Sequence, residues 1–461
     1  MGVRVDLVKD NILKSLLLFA IPLFISNLFQ QLYNTVDAMI IGNSLGDVSL
    51  AAVGACGPIY ELLVGFALGI GNGLSIVIAR AYGARDMKLL KKSVAGALVI
   101  GGIVTITMMV VSQIFMHPLL ELLNTPSEII DESYSYISII TLFVGVMFAY
   151  NLLAGLLRAI GNSFMPLIFL VISSAINIFL DKLFITAFNM GISGAAVATV
   201  IAQGISAILC LIYILYFSKE LIPTKDCFKV EKELYCELAG QGLSMGFMLS
   251  IVSTGTVILQ TAINNFGYLI IAGHTAARKL SSFCVMPGAT LCMAISTFVS
   301  QNKGAGEYQR IRKGVRIANT LSICWGIIIT VILFFIAPVL VRFLSGSTEA
   351  EVINNGALYL QINAPFYGVL GILLNLRNSL QGLGKKVVPL VSSIIELGGK
   401  CLFVILFIPT LKYMGVIICE PVIWCFMALQ LAYSFYGDPD IRRGKIQGDN
   451  EIKLRRVQVD K

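Results

Sequence analysis

82-YGARDMKLLKKSV-94 comes back, 221 residues on, as 303-KGAGEYQRIRKGV-315. Both read Gly-Ala-x-acid, then a basic cluster, then the opening of a long apolar run. Two more echoes follow in the same order. 158-RAIGNSFMP-166 matches 381-QGLGKKVVP-389 at offset 223 with Gly and Pro in register, and 190-MGI-192 matches 414-MGV-416 at offset 224. Glycine and proline gather in turns of any protein, but three ordered matches at nearly constant spacing describe a chain written twice.

What is repeated is a set of apolar runs. Of 461 residues 57% are hydrophobic and 13% charged, about half the charge of an ordinary soluble domain. The runs are about 20 residues long and not alternating ten-residue segments, so the spans are helices and not barrel strands. Twelve are expected, near 13–42, 52–79, 93–116, 131–157, 164–187, 192–217, 237–264, 276–300, 315–343, 355–380, 387–410 and 414–436. The first is read as a retained helix, because no A-x-A-like cleavage site follows it. The fold class is an all-α integral membrane protein. Its expected plan is an N-terminal six-helix bundle over 1–218, a linker over 219–235, a second bundle over 236–440 and a basic tail over 441–461. Six spans per half return the chain to the same side. The two bundles are then related by an axis along the membrane normal, with a cavity between them, the plan of an alternating-access carrier.

A net charge of +8 points at nucleic acid until its distribution is seen. Lys and Arg fall on alternate loops, as Arg85, Lys88, Lys91 and Lys92, then Lys219, Lys225, Lys229 and Lys232, then Lys303, Arg310, Arg312 and Lys313. Loops between them, such as 43-NSLGDVS-49, have none. The exceptions are Lys182, Arg278, Lys279, Arg342, Lys400 and Lys412. This is the positive-inside pattern, with both termini cytoplasmic. Membrane lipid is the expected partner of the basic loops, nucleic acid is not, and a monomer is expected. Ten cysteines are scattered without a C-x-x-C pair, and only His117 and His274 occur. No Walker A or G-x-S-x-G motif is present, so neither an enzyme nor a bound cofactor is expected.

Polar residues inside the runs carry the functional reading. Asp181 sits in 173-SSAINIFLDKLF-184, one helical turn after Asn177, where a carboxylate costs roughly 2.5–3.5 kcal/mol on insertion scales. Asp37, in 30-QQLYNTVDAMIIG-42, lies about 36 Å along the first helix. A kink at Pro22 and a tilt would bring it to the outer half of the bilayer. Thr199 and Tyr136 fall at similar depth on two other helices. Carboxylate, amide and hydroxyl oxygens suit a hard cation; a proton suits paired buried acids equally. The plainer alternative makes the two acids helix-end residues at the outer interface, with Asp181 paired to Lys182 or water. At the positions 223 residues beyond Asn177 and Asp181 stand Lys400 and Val404, and Glu396 precedes Lys400 by one turn. That reads as an internal ion pair or a cavity lining. Glu61 and Glu420 are weaker cavity candidates.

Taken together, 31-QLYNTVDAMIIG-42, 80-RAYGARD-86, 158-RAIGNSFMP-166 with 177-NIFLD-181, 191-GISGAAVATVIAQ-203, 296-STFVSQNKGAG-306 and 380-LQGLG-384 resemble the multidrug and toxic compound extrusion (MATE) transporters over nearly the whole chain. The resemblance implies export of organic cations, drugs and other amphipathic compounds across a bacterial cytoplasmic membrane, by antiport against H+ or Na+. It implies a cation site, with Na+ as the possible metal, at Asp37, Asn177, Asp181 and Thr199, with Tyr33 and Tyr136 beside it. It also implies a bending proline at Pro22 and a further site asparagine at Asn151. One family branch uses acids on helices 7 and 10. Here 248–266 and 358–380 contain none, which favours coupling through the first half. The alternatives are a flippase for a lipid-linked or other amphipathic substrate and, more distantly, a channel. A flippase of this kind needs a cationic cavity, for which Lys400 is the one buried cation expected.

Overall fold

The computed structural model describes residues 4–123 and 125–442. The basic tail expected from 441 lies, from 443 on, outside the described residues. Fifteen α-helices account for most of the chain, and no strand occurs among the described residues. They are α1 (Ile12–Leu45), α2 (Asp47–Gly83), α3 (Met87–Leu122), α4 (Ile130–Leu142), α5 (Val144–Ala159), α6 (Phe164–Lys182), α7 (Ile192–Phe217), α8 (Lys232–Ile263), α9 (Tyr268–Gly304), α10 (Tyr308–Ser345), α11 (Ala350–Asn363), α12 (Tyr367–Gly382), α13 (Val387–Leu402), α14 (Ile408–Leu411) and α15 (Tyr413–Gly437). Among the described residues eleven spans are long and apolar enough to cross a membrane, and α4 with α5, bent by 46°, makes a twelfth. Each overlaps one of the twelve expected runs. The bend has a local cause. Gln113 of α3 donates to the Ser138 carbonyl (2.9 Å) and to the Thr141 hydroxyl (3.1 Å) in the last turn of α4, an insertion of the kind that breaks a helical ladder.

The repeated motifs are turns. Arg85 takes a left-handed conformation (φ 56°) and Asp86 then caps α3, accepting from Lys88 N at 3.0 Å and Leu89 N at 2.9 Å. In the second copy Gly306 (φ 75°) precedes Glu307 at the start of α10. Gly161 (φ 86°) and Gly384 (φ 76°) open the turns into α6 and α13. At Gly161 a Cβ would stand 2.4 Å from the Val5 carbonyl, so glycine is required there twice over. Asn189 (φ 49°) and Lys412 (φ 53°) match as well. A π-helical turn follows α6 at Leu183–Ala187 and α13 at Phe403–Phe407. The duplication is therefore written into the backbone down to its strained residues.

The chain divides into two compact units, one of residues up to Asp6 with Leu18–Ser250, the other of Leu7–Leu17 with Ile251 onward. The division falls inside α1 and α8 and not at the linker, because the first half of α8 packs on α2. Gly69 and Gly73 of α2 lie on Gly246 and Gly242 of α8 so closely that a Cβ on Gly73 would stand 2.5 Å from the Gln241 carbonyl. Small residues spaced four apart are how helix backbones approach one another in lipid. The first unit has two apolar cores, one around Ile70, Leu74, Leu90 and Leu156, the other around Ile41, Ile59, Ile137 and Ile140. In the second unit α10 turns Ile327, Val331, Phe334 and Phe335 outward, the apolar exposure a lipid-facing helix needs.

Candidate functional site

In the first unit α1, α2, α4, α6 and α7 bring together the polar residues expected from sequence, and add to them. The Asp37 carboxyl of α1 and the Asp181 carboxyl of α6 lie within hydrogen-bonding reach of each other. Asp181 has no solvent exposure. Neither of its oxygens, nor Asp37 Oδ1, receives an N–H or O–H from the protein, so Lys182 is not its partner. One turn earlier Asn177, also buried, leaves both amide atoms unpartnered. Tyr33 reaches Gln30 and Gln203 and stands near both acids. Tyr136 of α4 and Tyr60 of α2 stand near Asp37. Thr199 is buried on α7 one turn before Gln203, whose Oε1 is unpartnered too. Buried polar atoms normally have partners, and this cluster leaves carboxylate and amide oxygens without any. Carboxylate, amide and hydroxyl oxygens fit a hard monovalent cation or a proton.

Two other expected residues make hydrogen bonds within their own helices. Asn151 on α5 donates to the Met147 carbonyl in its own helix (2.8 Å). Pro22 lies within α1, which remains helical through it, and its carbonyl accepts from the Ser26 hydroxyl at 2.8 Å. Tyr60 and Gln203 escaped the sequence reading. Tyr60 is overshadowed by Glu61 beside it, and Gln203 was marked only by standing one turn after Thr199.

The second unit has a polar cluster of different character. Lys400 Nζ is 3.1 Å from Glu396 and 3.8 Å from Glu420. Arg377 Nη2 is 3.4 Å from Glu396, and its Nε donates to Ser392 at 3.0 Å. Arg278 donates to both oxygens of Glu420 at 2.9 and 3.0 Å, and the Tyr359 hydroxyl donates to Glu420 at 3.1 Å. The expected Glu396–Lys400 pair is thus one link of a five-membered network. The expectation of a single buried cation is corrected, because Arg377 is 6% exposed as well. Arg377 stands close to a cytoplasmic loop in sequence and reads there as one more positive-inside charge. The partner of Arg278 is 142 residues away, beyond any helical periodicity.

The duplication and the acid cage together define the class. The MatE family model matches this chain twice, over residues 22–183 and 244–405, in two copies offset by 222 residues. The chain belongs to the MatE family, whose members are multi-pass membrane transporters. Among its relatives, the probable multidrug resistance protein YoeA of Bacillus subtilis is 29% identical over 93% of this chain and 94% of its own length. The multidrug export protein MepA of Staphylococcus saprophyticus is 23% identical over 76% of this chain and 75% of its own. Among solved structures, a MATE protein in complex with MaL6 superposes with a TM-score of 0.85 at 21% identity, covering 95% of this chain and 99% of that one. An outward-facing multidrug resistance MATE transporter gives 0.84 at 21% identity, covering 96% and 97%.

Proposed function

We propose that the protein is a secondary active exporter of drugs and other toxic amphipathic compounds, driven by inward H+ or Na+ through the acid cage of its first unit. The multidrug names of its relatives support export over lipid flipping. The observation that carries the coupling reading is the Asp37–Asp181 pair, two carboxyl groups facing each other with no protein donor on either Asp181 oxygen. Like charges so placed in a membrane cannot both stand uncompensated. One entering cation relieves the repulsion between α1 and α6, and its departure restores it. That is the charge change an antiporter needs between its two access states, with Pro22 as the place where α1 gives way. One charge moving through 100 mV supplies about 2.3 kcal/mol, roughly a fiftyfold gradient of substrate. The basic loops and both termini face the cytoplasm in this reading.

The test is dye transport in liposomes under an imposed Na+ gradient, then a pH gradient, with Asp181→Asn alongside. A wild type driven by one gradient and a variant driven by neither identifies both the site and the ion. Full gradient-driven transport by Asp181→Asn would end the reading.

A further inference from the structure

The network in the second unit does not balance. Arg278, Arg377 and Lys400 meet only Glu396 and Glu420, and all five line one cavity of about 270 Å³. No other Asp, Glu, Lys or Arg borders it among the described residues, which leaves one positive charge in excess. The excess can be located. Arg278 and Glu420 satisfy each other through two hydrogen bonds, whereas Arg377 and Lys400 share Glu396 at 3.4 and 3.1 Å. Lys400 is 3% exposed, so its ammonium has little water to turn to. Its remaining contacts are Glu420 at 3.8 Å, already held by Arg278, and the Thr256 hydroxyl at 3.5 Å, and a buried charge in excess of its counter-charges is strongly unfavourable. Elsewhere the wall is apolar (Leu370, Leu374, Trp424 and Met427) with hydroxyls at Thr256, Ser281 and Ser282. Apolar walls around a few convergent polar groups are the general form of a small-molecule site.

We infer that this cavity takes an oxyanion, a carboxylate or phosphate, carried on an apolar body. The guanidinium of Arg377 and the ammonium of Lys400 would supply charge-assisted hydrogen bonds to it, and the leucines and Trp424 would cover its body. The inference rests on the export reading and narrows it, since the compounds carried then include amphipathic anions.

Two probes with one fluorophore and opposite tails test this on the full-length protein in detergent, dansylglycine as the anion and dansylcadaverine as the cation. Dansylglycine is expected to bind saturably and more tightly. Lys400→Gln, which removes the excess charge, should weaken it about tenfold, the order of one Coulomb contact in a partly desolvated site. Glu396→Gln, which raises the excess, should tighten it by a similar factor. The opposite signs separate an electrostatic site from a structural network, where both variants would weaken binding. Failure of dansylglycine to bind, tighter binding of dansylcadaverine, or insensitivity to both substitutions overturns the proposal. Displacement of the bound probe by phosphatidylglycerol in the micelle assigns the site to a lipid headgroup, and no displacement assigns it to soluble anions; each keeps an oxyanion there. Gradient-driven transport in liposomes is read separately, so loss of one result does not mask the other.

Discussion

Asn177 and Lys400 occupy matched positions in two copies of one backbone. The turns before their helices share a left-handed glycine, Gly161 or Gly384, and π-helical turns follow both helices. Tyr136 and Tyr359 match at the same offset of 223. Around Asn177 the acids face each other with oxygens unpartnered. Around Lys400 every acid has a cation, with one cation to spare. The copies have thus kept their strained backbone positions and exchanged their electrostatics. Conformation in a duplicated membrane protein is set at the turns, whereas function is set by a few polar residues that the apolar spans tolerate without changing shape. The first copy leaves acids without counter-charges, and the second leaves a counter-charge without its own acid.

The sharpest way to break this comparison is to neutralise each half in turn. Asp181→Asn is expected to abolish gradient-driven transport, because an amide can neither take up the proton nor carry the charge of the acid it replaces. Glu396→Gln should alter which compounds are carried while the gradient still drives them. Equal loss of coupling from both substitutions, measured in the same liposomes, would show that the halves are not divided in this way.

Stability should divide in the opposite sense. Glu420→Ala leaves Arg278 and Lys400 facing each other over a missing carboxylate. Breaking a buried pair by removing one partner costs about 3–5 kcal/mol, visible as a large fall in thermal midpoint in detergent. Asp181→Asn removes a charge that has no protein partner and should leave the midpoint unchanged or raise it. A smaller loss, about 1–3 kcal/mol for a side chain forced into a filled space, is expected for Gly73→Val, whose Cβ meets the Gln241 carbonyl.

The smallest effect lies outside the membrane. Lys92, hydrogen-bonded to Glu231, holds the Glu231 carboxyl below the usual carboxylate range. A carboxyl lowered in the folded state contributes stability above its unfolded value, about pH 4.3, and loses it as pH falls through the folded value. Glu231→Gln should therefore change the midpoint little at neutral pH, with the difference from wild type vanishing in acid. A pH-independent difference would mean that the pair is not electrostatic.

The spans were legible because runs of about 20 apolar residues have few other uses, and the duplication was legible because turns restrict sequence more than lipid-facing helices do. Asp37, Asn177, Asp181 and Tyr136 stood out as polar residues at similar depth. Tyr60 did not, since a lone tyrosine in a span is unremarkable until its neighbours are known. Arg377 was obscured by a rule that is otherwise sound, which explains basic residues near cytoplasmic loops without asking whether they are buried. The division inside α8 was hidden as well, because glycines at 242 and 246 indicate a close approach without saying which helix approaches.

That approach has a further consequence. Where Gly69 and Gly73 lie on Gly242 and Gly246, the two backbones touch, with Phe66 and Ile70 of α2 packed beside them. At the glycines the contact holds by dispersion, about 0.1–0.2 kcal/mol for each touching pair of atoms, and lipid adds no hydrophobic force to it. At the glycines, parting the helices strands no donor; beyond them it would break the Arg80–Glu237 ion pair, which fastens one end of the contact. It is a close joint fastened at one end, and a single methyl group at its centre would act as a wedge.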